Sequence, residues 1–347
     1  YDSGVDIRTY GLVYIEEIDQ LITGFALGGG GATKLGYNSH VNDKQATLGF
    51  KVLQDAYAMA GHVYGVDATM SQVSSSLAFQ MTNQTVKIIR NTYVHKKASV
   101  KFLDSVNEAY QTAYEALGRG ERVVIIADKA SKANEAYETM LSLNCVKPEE
   151  AIVINRYTAN KKNVIQFMRD VNEGAKQYRL VVYNSIMGSG VSITDVVPDT
   201  IVQVCEYLPP RNNLQMLNRY RKQKNVYVYM AKVEKLYVHT AKDILNRARE
   251  FVDIEAGLVR LPAIDRSKVA KTRDSLASIS IADKQAQWRS PYIMYQALLE
   301  QDGRTYTTTD VVLSGTLSHT ITEVRKIQKE KAKFIQANWH TVRPVTQ

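Results

Sequence analysis

The chain has 347 residues, of which 45% are hydrophobic and 23% charged. That balance excludes a disordered or fibrous chain and supplies about two or three domains with cores of their own. No apolar run reaches the roughly eighteen residues of a membrane span, and 44 Lys and Arg against 35 Asp and Glu, a net charge of +9, favour a polyanionic partner such as nucleic acid over a membrane.

Cys145 and Cys205 are the only cysteines. They are too few for a disulfide framework or a cysteine zinc site, and they fit an intracellular, reducing compartment. The sequence begins at Tyr1 without a recognisable targeting peptide, which raises the expectation of a piece of a longer chain.

In chain order, Leu12 to Ile15 reads as a buried strand that delivers Glu16-Glu17-Ile18-Asp19. Adjacent acids at the carboxyl end of such a strand are how α/β nucleotide enzymes hold Mg²⁺ and orient water; a helix start with acids in its first turn is the bland alternative. Gly28 to Lys34 lacks the Gly-Lys-Ser/Thr ending of a phosphate-binding loop and reads as a surface connection. Gln45 to Ala60 is helical, with Leu48, Val52, Leu53 and Tyr57 on one face. His62 to Val66 is a strand ending in Asp67-Ala68-Thr69, Val86 to Tyr93 is another, and His95-Lys96-Lys97 is a basic linker.

Phe102, Val106, Ala109, Ala113 and Leu117 make a helical stripe stopped by Gly118 and Gly120. The predicted elements that follow are strand Arg122 to Ala127, helix Lys132 to Ser142, strand Ala151 to Asn155, helix Asn163 to Glu173 and strand Arg179 to Ser185. Strand Thr200 to Cys205, helix Asn213 to Lys222 and strand Val226 to Met230 complete the series. The alternation predicts a parallel sheet covered on both faces, with functional loops at the carboxyl ends of its strands. Beyond Lys232 helical segments dominate, at Leu236 to Phe251, Tyr292 to Gln301 and Ser318 to Trp339. The last carries Arg325, Lys326, Lys329 and Lys333 off its apolar stripe, either a solvated face or a nucleic-acid contact.

Two stretches bear chemistry in the central part. Gly188-Ser189-Gly190 gives a backbone free to approach a ligand closely, with Ser189 and Ser192 as hydroxyl donors. On the helix Asn213 to Lys222, a period of about 3.6 residues sets Gln215, Asn218, Arg219 and Lys222 on an outward face and Met216, Leu217 and Tyr220 on a packed one. Arginine is the side chain best suited to phosphoryl oxygens, because its planar fork donates paired hydrogen bonds and stays charged.

In order and spacing these stretches resemble the second to sixth motifs of superfamily 2 helicases, across roughly residues 10 to 232. Glu16-Glu17-Ile18-Asp19 resembles the Asp-Glu-x-Asp/His box, and Asp67-Ala68-Thr69 the Ser-Ala-Thr motif that couples hydrolysis to strand movement. Ile125 to Ser131 resembles the fourth motif, Asn184 to Ile193 the fifth, and Gln215 to Arg221 the Gln-x-x-Gly-Arg-x-Arg form of the sixth. Within the superfamily the likeness is greatest to herpesvirus-type origin-binding helicases and related phage or plasmid replication proteins.

The resemblance implies two RecA-like parallel-sheet domains, the first (1–95) incomplete at its N-terminus and the second at 96–232, then a mainly helical accessory region at 233–347. It implies a nucleic-acid-dependent ATPase using ATP and Mg²⁺, with DNA more than RNA as partner, no membrane, and replication proteins as further partners. Glu16 would hold Mg²⁺, Glu17 would polarise the attacking water, and Arg219 and Arg221 would reach the γ-phosphate. Asp19, Gly188, Gly190 and Gln215 would contact nucleotide; Ser131, Thr158 and Ser185 would grip the nucleic-acid backbone.

Three departures qualify the match: Glu16 replaces Asp, Asn218 replaces Gly, and only fifteen residues precede Glu16, with no phosphate-binding loop among them. The sequence as given is therefore expected neither to bind ATP tightly nor to hydrolyse it. A non-catalytic nucleic-acid-binding replication initiator on a degenerate motor fold is the alternative.

Overall fold

The computed structural model describes residues 11–16, 18, 51–60, 62–66, 87, 97–187, 191–232, 240–244, 246 and 268–337. Two compact units divide the chain, Tyr1–Thr92 with Glu234–Arg289 and Tyr93–Val233 with Ser290–Gln347.

In the first unit β1 (Leu12–Glu16) and β2 (His62–Val66) pair in parallel, with Leu12 opposite His62 and Glu16 opposite Val66. Glu16 thus ends its strand on the carboxyl side, where the sequence predicts it, but the strand is not buried as expected: Leu12 and Tyr14 are exposed and Val13 and Ile15 half-buried. A Cβ at Gly65 would lie 2.6 Å from Cδ1 of the buried Ile18, so a side chain fits at this strand position only if Ile18 shifts. Residues 51–59 are helical and bury Leu53 and Ala56. The strand predicted at Val86 to Tyr93 lies outside the described residues except for Lys87, as does the loop Gly28 to Lys34. Of the helix predicted at Leu236 to Phe251, residues 240–244 and 246 are described; 241–244 and 246 are helical and Thr240 is not.

The second unit is built on a seven-stranded, wholly parallel sheet in the order β5-β6-β4-β7-β8-β3-β9. In chain order its elements are β3 (Val100–Leu103), α1 (Val106–Gly118), β4 (Val123–Ala127), α2 (Ala130–Ser142), β5 (Ala151–Ile154), α3 (Lys162–Arg169), α4 (Val171–Gln177) and β6 (Leu180–Tyr183). Next come β7 (Thr200–Cys205), α5 (Pro210–Leu217) and β8 (Asn225–Met230). Helix α6 (Lys268–Gln287) belongs to the first unit, whereas α7 (Pro291–Gln301), β9 (Tyr306–Thr308) and α8 (Gly315–Ala337) return to the second.

Every residue of β4, β5, β6 and β7 is buried, as a parallel sheet covered on both faces requires. Alternation along each strand then sorts the side chains into two cores. Val124, Ile126, Val181, Tyr183 and Ile201 meet α3, α4, α5 and α7, while Val123, Ile125, Val182 and Val204 meet α1, α2 and α8. Burying each of these side chains contributes about 1.5–3 kcal/mol.

Phe102, predicted to open a helical stripe, sits instead on β3, because Ser105 starts α1 three residues later. Its Oγ accepts from Glu108 N at 3.1 Å, and Glu108 Oε2 accepts from Asp104 N at 3.0 Å. The single helix predicted at Asn163 to Glu173 is two helices, since Asp170 Oδ1 accepts from the N–H groups of Asn172 and Glu173, both at 3.1 Å, and caps a new start.

The C-terminal region is mainly helical, as predicted, and its last part is built into the second unit. Tyr295 of α7 is fully buried and donates to Gln203 Oε1 of β7 at 2.6 Å. Strand β9 pairs with β3, and α8 buries Leu317 and Ile321 beside α1 and α2.

Candidate functional site

The helix predicted at Asn213 to Lys222 spans Pro210–Leu217, and Asn218 is its C-cap. Arg219, Tyr220 and Arg221 therefore follow the helix instead of riding on it. They are fixed by an isolated parallel bridge between Ile193 and Tyr220: Ile193 N donates to Arg219 O at 2.8 Å, and Arg221 N donates to Ile193 O at 3.0 Å. The reason is a tertiary contact. Tyr220 is fully buried and stacks on Tyr183 with ring centroids 6.4 Å apart, which pulls the chain out of the helical path.

The two arginines consequently differ. Arg219 is 9% exposed and donates from Nη1 to Val191 O at 3.2 Å, so the prediction that it faces outward is corrected by its burial. Arg221 is exposed, with Nε donating to Ser192 Oγ at 2.8 Å. One bridge thus brings the stretch after β6 together with the stretch after α5. Asn172 pins the former from the other side, its Oδ1 accepting from Thr194 N at 2.8 Å and Asp195 N at 3.2 Å. Gln215 is half-buried on α5.

Asn218, which stands where the motif has glycine, has its own structural employment. Its Nδ2 donates to both oxygens of Asp302 at 3.2 Å, and its Oδ1 accepts from Arg304 Nη2 at 2.9 Å. Arg304, only 3% exposed, also donates to Asp302 Oδ2 at 3.0 Å and Ala98 O at 3.1 Å, and Lys97 meets Asp302 at 2.5 Å. A side-chain amide at 218 thereby docks the turn between α7 and β9.

A second cluster lies at the carboxyl ends of the strands. After β4, buried Asp128 accepts through Oδ2 from the N–H groups of Glu206, Tyr207 and Leu208 at 2.7, 2.5 and 2.8 Å. Burial pushes its pKa up, against those three hydrogen bonds, with Glu206 adding to the rise. After β5, Asn155 Oδ1 accepts from Tyr157 N at 2.9 Å and Nδ2 donates to Asn134 Oδ1 at 2.7 Å. Thr158 is buried, its hydroxyl donating to Val153 O at 2.7 Å and accepting from Asn155 N at 3.1 Å. After β6, Asn184 Oδ1 accepts from Ile186 N at 3.1 Å in the same kind of turn. Of the three hydroxyls predicted to grip nucleic acid, Ser131 and Ser185 are exposed, whereas that of Thr158 is engaged inside its turn.

Sequence reasoning passed over the turn-forming roles of Asp128 and Asn155. The available signal was an Asp or Asn directly after a fully apolar strand, the composition of a side-chain-closed turn.

Glu17, Asp19, Asp67, Ala68, Thr69, Gly188 and Gly190 lie outside the described residues, and only the backbone of Glu16 is described. Among the described residues no three His, Cys, Asp or Glu side chains group as a metal site, and no helix is long and apolar enough to cross a membrane.

No family model matches the sequence, and no curated protein matches it. Solved structures similar to it include the Mycobacterium smegmatis helicase Lhr bound to ssDNA and AMP-PNP, at 12% identity and a TM-score of 0.44 over 80% of this chain and 44% of that one. S. cerevisiae Dbp5 bound to RNA and ADP BeF3 is similar at 11% identity and a TM-score of 0.47, over 91% of this chain and 63% of that one. T. fusca Cas3-AMPPNP is similar at 12% identity and a TM-score of 0.43, over 84% and 38%. The chain thus spans less than two thirds of the length of each of these proteins.

Proposed function

We propose that the protein is a nucleic-acid-dependent ATPase of the superfamily 2 helicase type, translocating on or unwinding nucleic acid, with DNA in replication as its setting. The observation that carries this proposal is the Ile193–Tyr220 bridge. It draws together two stretches 26 residues apart, Val191–Ile193 and Arg219–Arg221, that the sequence independently marks for phosphate chemistry.

Such an enzyme requires ATP with Mg²⁺. Glu16 would hold the metal and Glu17 would polarise water, with Asp19, Gly188, Gly190 and Gln215 beside the nucleotide and Asp67-Ala68-Thr69 coupling hydrolysis to movement. Arg221 fits a phosphoryl group: it is exposed, and among the described residues only its Nε is bonded to a side chain, Ser192, which leaves its Nη fork. A guanidinium in this role stabilises charge on the transferring group and is worth about a thousandfold or more in rate. Arg219 would act from beneath by holding Val191. The exposed Ser131 and Ser185 would meet the nucleic-acid backbone, and Thr158 would hold the turn beside them.

Burial of Arg219 and the docking role of Asn218 favour a second proposal, a non-catalytic replication initiator that keeps the motor fold as a scaffold. The two separate on phosphate release by the full-length natural protein. The enzyme hydrolyses ATP faster when single-stranded nucleic acid is added and loses that activity on Glu17→Gln; an initiator shows no hydrolysis in either form.

A further inference from the structure

Two tyrosines stand out at the carboxyl edge of the seven-stranded sheet. Tyr157 and Tyr207 are 57% and 58% exposed, although each sits on a turn in which buried polar groups are committed to fixing the backbone. Beneath Tyr207, one oxygen of Asp128 collects three consecutive N–H groups, including that of Tyr207 itself. Beneath Tyr157, Asn155 and Thr158 close the turn with four hydrogen bonds, at 2.9 Å to Tyr157 N, at 3.1 Å between them, and at 2.7 and 3.3 Å from the Thr158 hydroxyl to Val153 O and Asn155 O. Burying a carboxylate and two polar side chains is costly unless something requires the geometry they impose. Here they impose the position of an exposed phenol ring.

Each ring also carries a cation. Lys129 Nζ lies 5.5 Å from the Tyr207 ring centroid, and the Arg156 guanidinium lies 4.7 Å from that of Tyr157, with Nη2 donating to its hydroxyl at 2.5 Å. Lys161 and Lys162 are exposed just beyond; the acids directly after β4 and β7 are the buried Asp128 and the half-buried Glu206, while the exposed Asp104 and Asp310 lie farther along the edge after β3 and β9, Asp104 paired with Lys232 at 2.8 Å. An aromatic face beside a lysine or arginine is the pairing that binds a base and its phosphate together. Between the two rings lie the ends of β6 and β4, with exposed Ser185 and Ser131. Three strand spacings of about 4.8 Å set the strand ends about 14 Å apart, so one short single strand can reach both rings.

We infer that Tyr157 and Tyr207 are stacking platforms for the bases of single-stranded nucleic acid running along the carboxyl edge of this sheet. The inference rests on the proposed nucleic-acid role of that edge and adds that the strand is held through its bases as well as its phosphates. Rigid presentation is what makes stacking effective, because neither the ring nor its loop has to be ordered on binding.

The test uses the full-length protein and two fluorescent strands of about twelve nucleotides, one with bases and one abasic, titrated at low salt and followed by anisotropy. Stacking predicts that the wild type prefers the base-bearing strand by at least about fivefold per tyrosine. The preference should vanish in the double variant Tyr157→Ala/Tyr207→Ala and persist in Tyr157→Phe/Tyr207→Phe, which keeps both rings. Matched DNA and RNA strands assign the sugar, since the larger base preference marks the natural ligand. Equal binding of base-bearing and abasic strands by the wild type, or a preference that survives in the double alanine variant, overturns the inference and leaves the proposed function standing. Failure of the wild type to bind any strand overturns the proposed nucleic-acid role itself.

Discussion

The main chain on either side of Tyr220 is hydrogen-bonded to the single residue Ile193, through Arg219 O at 2.8 Å and Arg221 N at 3.0 Å. Displacing one stretch must therefore displace the other, and both face the same core, where Ile193 and Tyr220 are fully buried. Ile193→Ala opens a cavity under this bridge and should lower unfolding free energy by about 2–4 kcal/mol in a urea titration. Ser192→Ala removes only the hydroxyl that accepts from Arg221. It should leave the urea midpoint unchanged while lowering kcat by roughly three- to tenfold, with KM for ATP less affected.

Arg304 links three parts of the second unit: Ala98 before β3, Asn218 after α5, and Asp302 after α7. Arg304→Ala leaves Asp302 and Asn218 underpartnered in a half-buried setting and should cost about 3–5 kcal/mol. Asn218→Gly restores the residue usual in the motif yet removes the docking contacts, so a loss of about 1–3 kcal/mol is expected by the same measurement.

Asp128 gives the edge a definite pH response. Its folded-state pKa lies above its ordinary value, chiefly through burial. Stability from protonating it is thus fully present below the unfolded pKa of about 3.9 and is lost as pH rises through the folded one. Asp128→Asn keeps an acceptor for the three N–H groups and removes the buried charge. Its Tm should match or exceed that of the wild type at pH 7.5 and lose that pH dependence. Asp128→Ala, which abandons all three N–H groups, should lose about 2–4 kcal/mol.

Gly174 of α4 packs directly on Phe167 of α3. A Cβ there would lie 2.8 Å from Cδ2 of Phe167 and 3.0 Å from its backbone Cα. Alanine would gain about 1 kcal/mol in helix propensity. The clash involves backbone and should outweigh that gain, so Gly174→Ala is expected to be net destabilising by about 1–2 kcal/mol in urea unfolding.

The strands of the second unit were legible because their apolar runs are bounded by turns and buried on both faces; Thr200 to Cys205 matches β7 residue for residue. Phe102 was misassigned because its spacing happens to continue the α1 stripe, although the Ser-x-x-Glu sequence at Ser105 and Glu108 already marked a helix start. Strand β9 is three residues long and exists only through pairing with β3, so no local pattern announces it. Helical periodicity placed Arg219 on an outward face. Its burial follows from the Tyr220–Tyr183 stack and the bridge to Ile193, contacts about 30 residues away that no window of sequence contains.

The most direct test of the proposed motor chemistry is phosphate release by the full-length natural protein, with and without single-stranded nucleic acid, comparing the wild type with Arg221→Ala. Arg221 is exposed and its loss should not disturb the fold, so a thermal melt should be unchanged. The proposal predicts that stimulated hydrolysis falls by about a thousandfold in the variant. Stimulated hydrolysis at the wild-type rate in Arg221→Ala would contradict it.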